Sequence, residues 1–178
     1  MKRCALVIGH TSTSPGARNK KNSISEFEFN KHMAREIKSR VSTVEVILFF
    51  RKAYSALPGE INKTKPDFIV SLHCNAFNRK VSGTETLYYH KSEKGKKIAQ
   101  LLNDNLVDAL GLKDRGVKPK TSEDRGGYLL AETVAPCVIA EPFFIDNDAD
   151  LYVALAERDS LAEAYATSIE QIANLEGV

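Results

Sequence analysis

Three apolar stretches of this chain stop at residues able to do chemistry. Val7-Ile8-Gly9 is followed by His10, the run Phe68-Ile69-Val70-Ser71-Leu72 by His73, and Val138-Ile139-Ala140 by Glu141. Such runs read as buried strands, and a buried strand has no packing reason to end in an imidazole or a carboxylate. Taken singly, either histidine is an ordinary strand-end residue. Glu141 is harder to dismiss. Flanked by Ile139, Ala140, Phe143 and Phe144, its carboxylate loses hydration at a cost that something must offset. A metal ion, or a task that needs a raised pKa, supplies that reason.

Glu26 is the fourth candidate. Phe29, Asn30 and Met33 follow it at i+3, i+4 and i+7, so it projects from the inward face of a helix that begins near Ser25. Two capping boxes compete there. Ser25-x-x-Glu28 leaves Glu26 free, whereas Ser23-x-x-Glu26 gives it a capping role, and spacing decides for neither. Two histidines and a glutamate with one open position make up a catalytic zinc set. Zinc so held acidifies water and polarises a carbonyl, and a second glutamate then serves as general base. The other histidines have weaker settings: His32 lies among charges on the first helix, and His90 follows Tyr88-Tyr89 with no obvious partner.

The elements that must position these groups alternate along the chain. Strands are expected at 3–9, 43–50, 67–72, 84–89, 128–131 and 137–140. Helices are expected at 25–40, 93–110 and 160–175, with a weaker helical stretch at 52–64 interrupted by Pro58-Gly59. Ser92 is placed to cap the helix at 93–110 and Gly111 to end it. Strands that are apolar throughout, alternating with amphipathic helices, predict a single α/β domain: a mostly parallel twisted sheet with helices on both faces. Open sheets of that kind bind ligands at the carboxyl ends of their strands, which is where His10, His73 and Glu141 fall.

Composition sets bounds on the rest. Apolar residues make up 43 % of the 178 and charged ones 27 %, an ordinary globular balance. No apolar run is long enough to span a membrane. The N-terminal run Cys4–Ile8 is too short for a signal-peptide core, so synthesis in the cytoplasm without a leader is expected. Cys4, Cys74 and Cys137 are widely spaced inside apolar runs and read as buried free thiols. After residue 130 the chain holds ten Asp/Glu but Arg158 as its only Lys/Arg, leaving a basic body and an acidic tail. Such a body suits a polyanionic surface. Without a dense basic patch interleaved with aromatics, nucleic acid is not an expected partner.

The spacing Gly9-His10, Glu26-x-x-x-Asn30, Ser71-x-His73-x-Asn75-Ala76 and Glu141-x-x-Phe144-x-x-Asn147 resembles the zinc-dependent N-acetylmuramoyl-L-alanine amidases of the amidase-3 type. The likeness runs nearly the full chain and includes Pro15-Gly16-Ala17 and Arg115-Gly116-Val117. It is most like the catalytic domains of phage endolysins, in EFEFNK (26–31) and EPFFIDNDAD (141–150).

The resemblance implies that His10, Glu26 and His73 hold one zinc per chain and that Glu141 is the base; it takes Glu26 rather than Glu28 because Asn30 lies four residues after Glu26. It implies hydrolysis of the amide between N-acetylmuramic acid and L-alanine of the stem peptide. The alternatives are a related zinc carboxypeptidase acting on stem peptides and a non-catalytic muropeptide-binding module. Residues 1–178 are expected as one catalytic domain with no separate wall-binding domain. Peptidoglycan is the implied partner, in the wall or periplasm, reached after release by an agent such as a holin. The family's usual Gly-His-Gly-Gly is here Gly9-His10-Thr11-Ser12, so the first loop departs from the pattern.

Overall fold

The computed structural model describes residues 1–177. Six strands form one sheet: β1 (Arg3–Ile8), β2 (Glu45–Phe50), β3 (Phe68–Leu72), β4 (Thr84–Tyr89), β5 (Asp114–Lys120) and β6 (Cys137–Glu141), in the order β2-β1-β3-β6-β4-β5. The pairings β1 with β2, β1 with β3, and β3 with β6 are parallel. Only β4 against β6 is antiparallel, with β5 parallel to β4 beyond it.

The unbroken apolar runs serve two cores. Cys4, Leu6 and Ile8 face one side with Phe68, Val70, Leu72, Val138 and Ala140. Ala5, Val7, Ile69, Cys137 and Ile139 face the other. A thick layer covers the first side: α1 (Glu26–Arg40), α3 (Glu93–Leu110), α5 (Asp148–Ala156) and α6 (Arg158–Ala173), through residues such as Met33, Ile37, Leu102, Leu151 and Ile169. A thin layer of two short helices, α2 (Leu57–Lys63) and α4 (Gly127–Glu132), covers the second through Leu57, Ile61, Leu129 and Leu130. Helices on both faces of a mostly parallel sheet are thus observed. The thin side leaves room for a cleft.

Ser25 begins α1. Its side chain accepts from the Glu28 amide while the Glu28 carboxylate accepts from the Ser25 amide, a reciprocal box that takes Glu28 and leaves Glu26 free. Ser92 caps α3, and Gly111 closes it at φ 62°. Three expectations need correction. The strand expected at 128–131 is helix α4: Leu129 and Leu130 both pack into the second core, whereas neighbours on a strand of this sheet face opposite cores, and a four-residue run is too short to show either period. Strand β5 was not expected, because DRGVKPK is polar, carries Gly116 at φ 73° and Pro119, and lies at the sheet edge. Helix α5 was also missed. Asn147 caps it by accepting from the amides of Ala149 and Asp150.

All three cysteines are buried and free. Burial pushes the Cys137 thiol up to about 12 and the other two upward as well, so none is a ready thiolate.

Candidate metal centre and its cleft

Parallel neighbours β1, β3 and β6 bring their carboxyl ends together, and the ladder continues past them. The Gly9 amide donates to the Leu72 carbonyl at 3.0 Å and the His73 amide to the Ala140 carbonyl at 3.0 Å. His10 and His73 therefore stand side by side, ring centroids 5.2 Å apart. From the other direction the first loop is stitched onto α1: the Glu26 amide donates to the Ala17 carbonyl and the Phe27 amide to the Pro15 carbonyl. This places the Glu26 carboxylate between the imidazoles. His10 Nε2 lies 3.1 Å from Oε2, and His73 Nδ1 lies 2.9 Å from Oε1. Each oxygen also accepts a backbone amide, Oε2 from Ala17 at 3.2 Å and Oε1 from Cys74 at 3.0 Å.

Glu26 is only 2 % exposed. Burial alone would raise its carboxyl, but hydrogen bonds from His10 and His73, with their charge, outweigh that and hold it below the usual carboxylate range. The three donors, two ring nitrogens and a carboxylate oxygen, lie within 4.8 Å of one another and could hold a metal ion. Their chemistry suits a divalent ion of the zinc kind, with three protein ligands and a position left open. Two glycines keep the space for them. A Cβ at Gly9 would meet His73 Cε1 at 2.5 Å. One at Gly16 would meet Glu26 Oε2 at 2.5 Å and His10 Cδ2 at 2.7 Å, on a backbone at φ 76° that side chains resist. His10 itself sits at φ 66°, an uncommon conformation that the turn at Thr11–Ser14 supports: the Thr11 amide donates to the Ser14 carbonyl at 3.1 Å. Gly16→Ala is expected to weaken zinc binding about 10- to 100-fold, as losses just outside a metal's ligands do. Competition titration with a zinc chelator, alongside circular dichroism showing an intact fold, measures this; unchanged affinity would contradict it.

Glu141 ends β6 in the same cleft, a cavity of about 450 Å³ also lined by His10, His73 and Glu26. Its Oε2 is buried with no hydrogen-bond partner among the described residues. Burial first, then the negative charges of Glu26 and Glu85, push its carboxyl well above the usual carboxylate range, with Arg125 and Lys120 pulling the other way. Glu85 stands directly across the antiparallel pairing from Glu141. Asn75 Nδ2 holds it at 2.8 Å and Arg115 Nε at 2.7 Å. The arrangement thus combines a metal-ready donor set with a separate, unpartnered carboxylate whose affinity for a proton is raised. That is the equipment for activating water next to a polarised carbonyl.

Comparison with known proteins bears on which chemistry that is. Residues 4–171 match the family model described as N-acetylmuramoyl-L-alanine amidase. The chain belongs to this amidase family. Among curated relatives, an uncharacterized cell wall amidase of Bacillus anthracis is 38 % identical over 96 residues, 49 % of this chain and 17 % of its own length. The endolysin of Bacillus phage SPP1 is 34 % identical over 124 residues, 64 % of this chain and 43 % of its own. The matched stretches thus span less than half of these relatives. Among solved structures, an N-acetylmuramoyl-L-alanine amidase from Clostridium difficile 630 shares the fold with a TM-score of 0.89, at 20 % identity and covering 99 % of this chain and 98 % of that one.

His10, Glu26, His73 and Glu141, the four residues singled out in the sequence, all line one cleft. His32 and His90 are exposed on the surface and apart from it. Sequence reasoning missed Glu85. A lone carboxylate between Thr84 and Thr86 in a strand of β-formers was the available signal, but its meaning depends on the antiparallel pairing with β6. The cleft's cations, Arg51, Lys120 and Arg125, were missed too, because they arrive from three separate connections.

Proposed function

We propose that residues 1–178 act as the catalytic domain of a zinc-dependent N-acetylmuramoyl-L-alanine amidase, in which His10, Glu26 and His73 hold one zinc and Glu141 is the general base. The observation that carries this is the unpartnered Glu141 carboxylate facing the same cleft as the His–Glu–His set. When bound, zinc supplies a Lewis acid that polarises the scissile carbonyl and makes water more acidic. Glu141 takes a proton from the attacking water as its oxygen bonds to the lactyl carbonyl carbon. It then delivers that proton to the alanine nitrogen as the carbon–nitrogen bond breaks, leaving a lactyl carboxylate and a free amine. In the metal-free site Glu26 keeps the imidazoles oriented through its two short contacts, and Gly9 and Gly16 leave them room.

Family membership and the likeness to an endolysin support peptidoglycan as the substrate, met in the wall after release; an agent such as a holin would supply that release. No helix among the described residues is long and apolar enough to cross a membrane. Mass spectrometry of digested, purified peptidoglycan tests the reading. An amidase separates intact stem peptides with new N-terminal alanine from intact glycan strands. Release of free amino acids would instead identify a carboxypeptidase, and an unchanged wall would leave only a muropeptide-binding module.

A further inference from the structure

The cleft extends from the metal-ready set to a wall with a different character. Arg51 immediately follows β2, Lys120 is the last residue of β5, and Arg125 lies in the loop before α4, yet all three line the cavity that holds Glu141. Two tyrosines join these connections. Tyr54 and Tyr128 have ring centroids 5.6 Å apart, Tyr128 Oη donates to the Ser55 carbonyl at 3.0 Å, and the Arg51 guanidinium lies 5.2 Å from the Tyr54 centroid. Three of the four carboxylates in the cavity have hydrogen-bond or ion-pair partners other than these cations. Asp124 accepts from the Thr121 amide at 2.6 Å and from its hydroxyl at 2.9 Å, Glu85 pairs with Arg115, and Glu26 lies between the histidines. Among the described residues, none of the three cations forms an ion pair with a carboxylate. Lys120 and Arg125 are near enough to Glu141 for their charge to act on its carboxyl.

Three cations without a direct ion pair stand together on one wall of the concave surface, the Lys120 charge reaching Asp124 and Glu141 and the Arg125 charge reaching Glu141, and guanidinium forks match carboxylates in shape as well as charge. Resting on the amidase reading, we infer that this wall is a specificity subsite in which Arg125, Lys120 and Arg51 engage carboxylates of the stem peptide, with the Tyr54–Tyr128 pair holding the wall in place. Of the two sides of the scissile amide, the peptide is the one that carries carboxylates, whereas a run of N-acetylated sugars is neutral. The subsite therefore sorts substrates by stem-peptide charge and orients the peptide as the leaving side.

The test uses the zinc-loaded full chain and two soluble muropeptides of one sequence, one with free stem-peptide carboxylates and one with them amidated. The wild type is expected to favour the free form by about tenfold in kcat/KM, the scale of a hydrogen bond to a charged group. Arg125→Ala and Lys120→Ala are each expected to erase most of that preference through a higher KM for the free form, compared on the plateau of each variant's pH profile because both charges also act on Glu141. Arg125→Lys should restore part of it. Arg125 is exposed and Lys120 half-buried, so folding and zinc content should be unchanged. Equal cleavage of the two substrates by the wild type overturns the subsite while leaving the amidase reading intact, as does an equal loss on both substrates in the variants. Cleavage of neither substrate overturns both. Competition by inorganic phosphate with no preference between the two muropeptides assigns the wall to phosphate and overturns the inference.

Discussion

Glu141→Gln is expected to slow wall hydrolysis by about 10²–10⁴-fold, the usual contribution of a positioned acid–base group, while the variant still binds one zinc. Glutamine keeps the shape of the side chain and cannot accept the proton. The pH profile adds a second reading. The Glu141 carboxyl is held above the ordinary carboxylate range by burial and by Glu26 and Glu85, and a base must be ionised to act. Burial, the first of these causes, persists with zinc bound, whereas the ion's charge offsets that of Glu26; the acid limb that Glu141 sets in kcat/KM of the wild type should be missing from the residual activity of the variant. Stability should move the opposite way to activity. A carboxyl whose pKa is raised on folding contributes stability below its unfolded pKa and loses it as pH rises through the folded one. Metal-free Glu141→Gln should thus melt above metal-free wild type at pH 7, by roughly 2–4 °C if the relief is about 1 kcal/mol. The gap should close toward pH 4. Retained activity in the variant would remove Glu141 from its role.

His73→Ala is expected to cost metal affinity first and activity as a consequence. Losses outside a metal's ligands cost about 10- to 100-fold, so removal of a ligand should exceed about 100-fold and leave zinc content below one per chain after dialysis. Here stability falls with activity. Glu26 loses the contact at 2.9 Å and remains buried, and a lost hydrogen bond to a charged group costs about 1.5–3 kcal/mol. The metal-free variant should melt several degrees below metal-free wild type. The two substitutions thus separate by metal content and by the sign of the Tm change, which a general unfolding effect would not produce. Full zinc occupancy in His73→Ala would contradict the ligand assignment.

The candidate site residues were legible where polarity conflicted with its surroundings. His10, His73 and Glu141 interrupt apolar runs at strand ends, and the sheet's parallel order then gathers them without further information. Glu26 was ambiguous locally because Ser23 and Ser25 offer equivalent caps; the fold chose Ser25 with Glu28, since the first loop must pair with the start of α1 through Ala17 and Pro15. Elements without an apolar period were not legible. Strand β5 is polar because it lies at an edge, and α4 gains its helical form from packing on α2 and the sheet rather than from its own six residues. Glu85 and the cationic wall depend on which strands and loops meet across the sheet. A one-dimensional pattern does not encode such meetings.

On the proposed reading, one metal held by His10, Glu26 and His73 makes this cleft an amide hydrolase. The most direct test of that reading is wall-lysis activity of chelator-treated protein measured against added zinc. The expected result is no activity without metal and a linear recovery that saturates at about one zinc per chain. Lysis that is indifferent to chelation would contradict it, and the two histidines would then be ordinary strand ends.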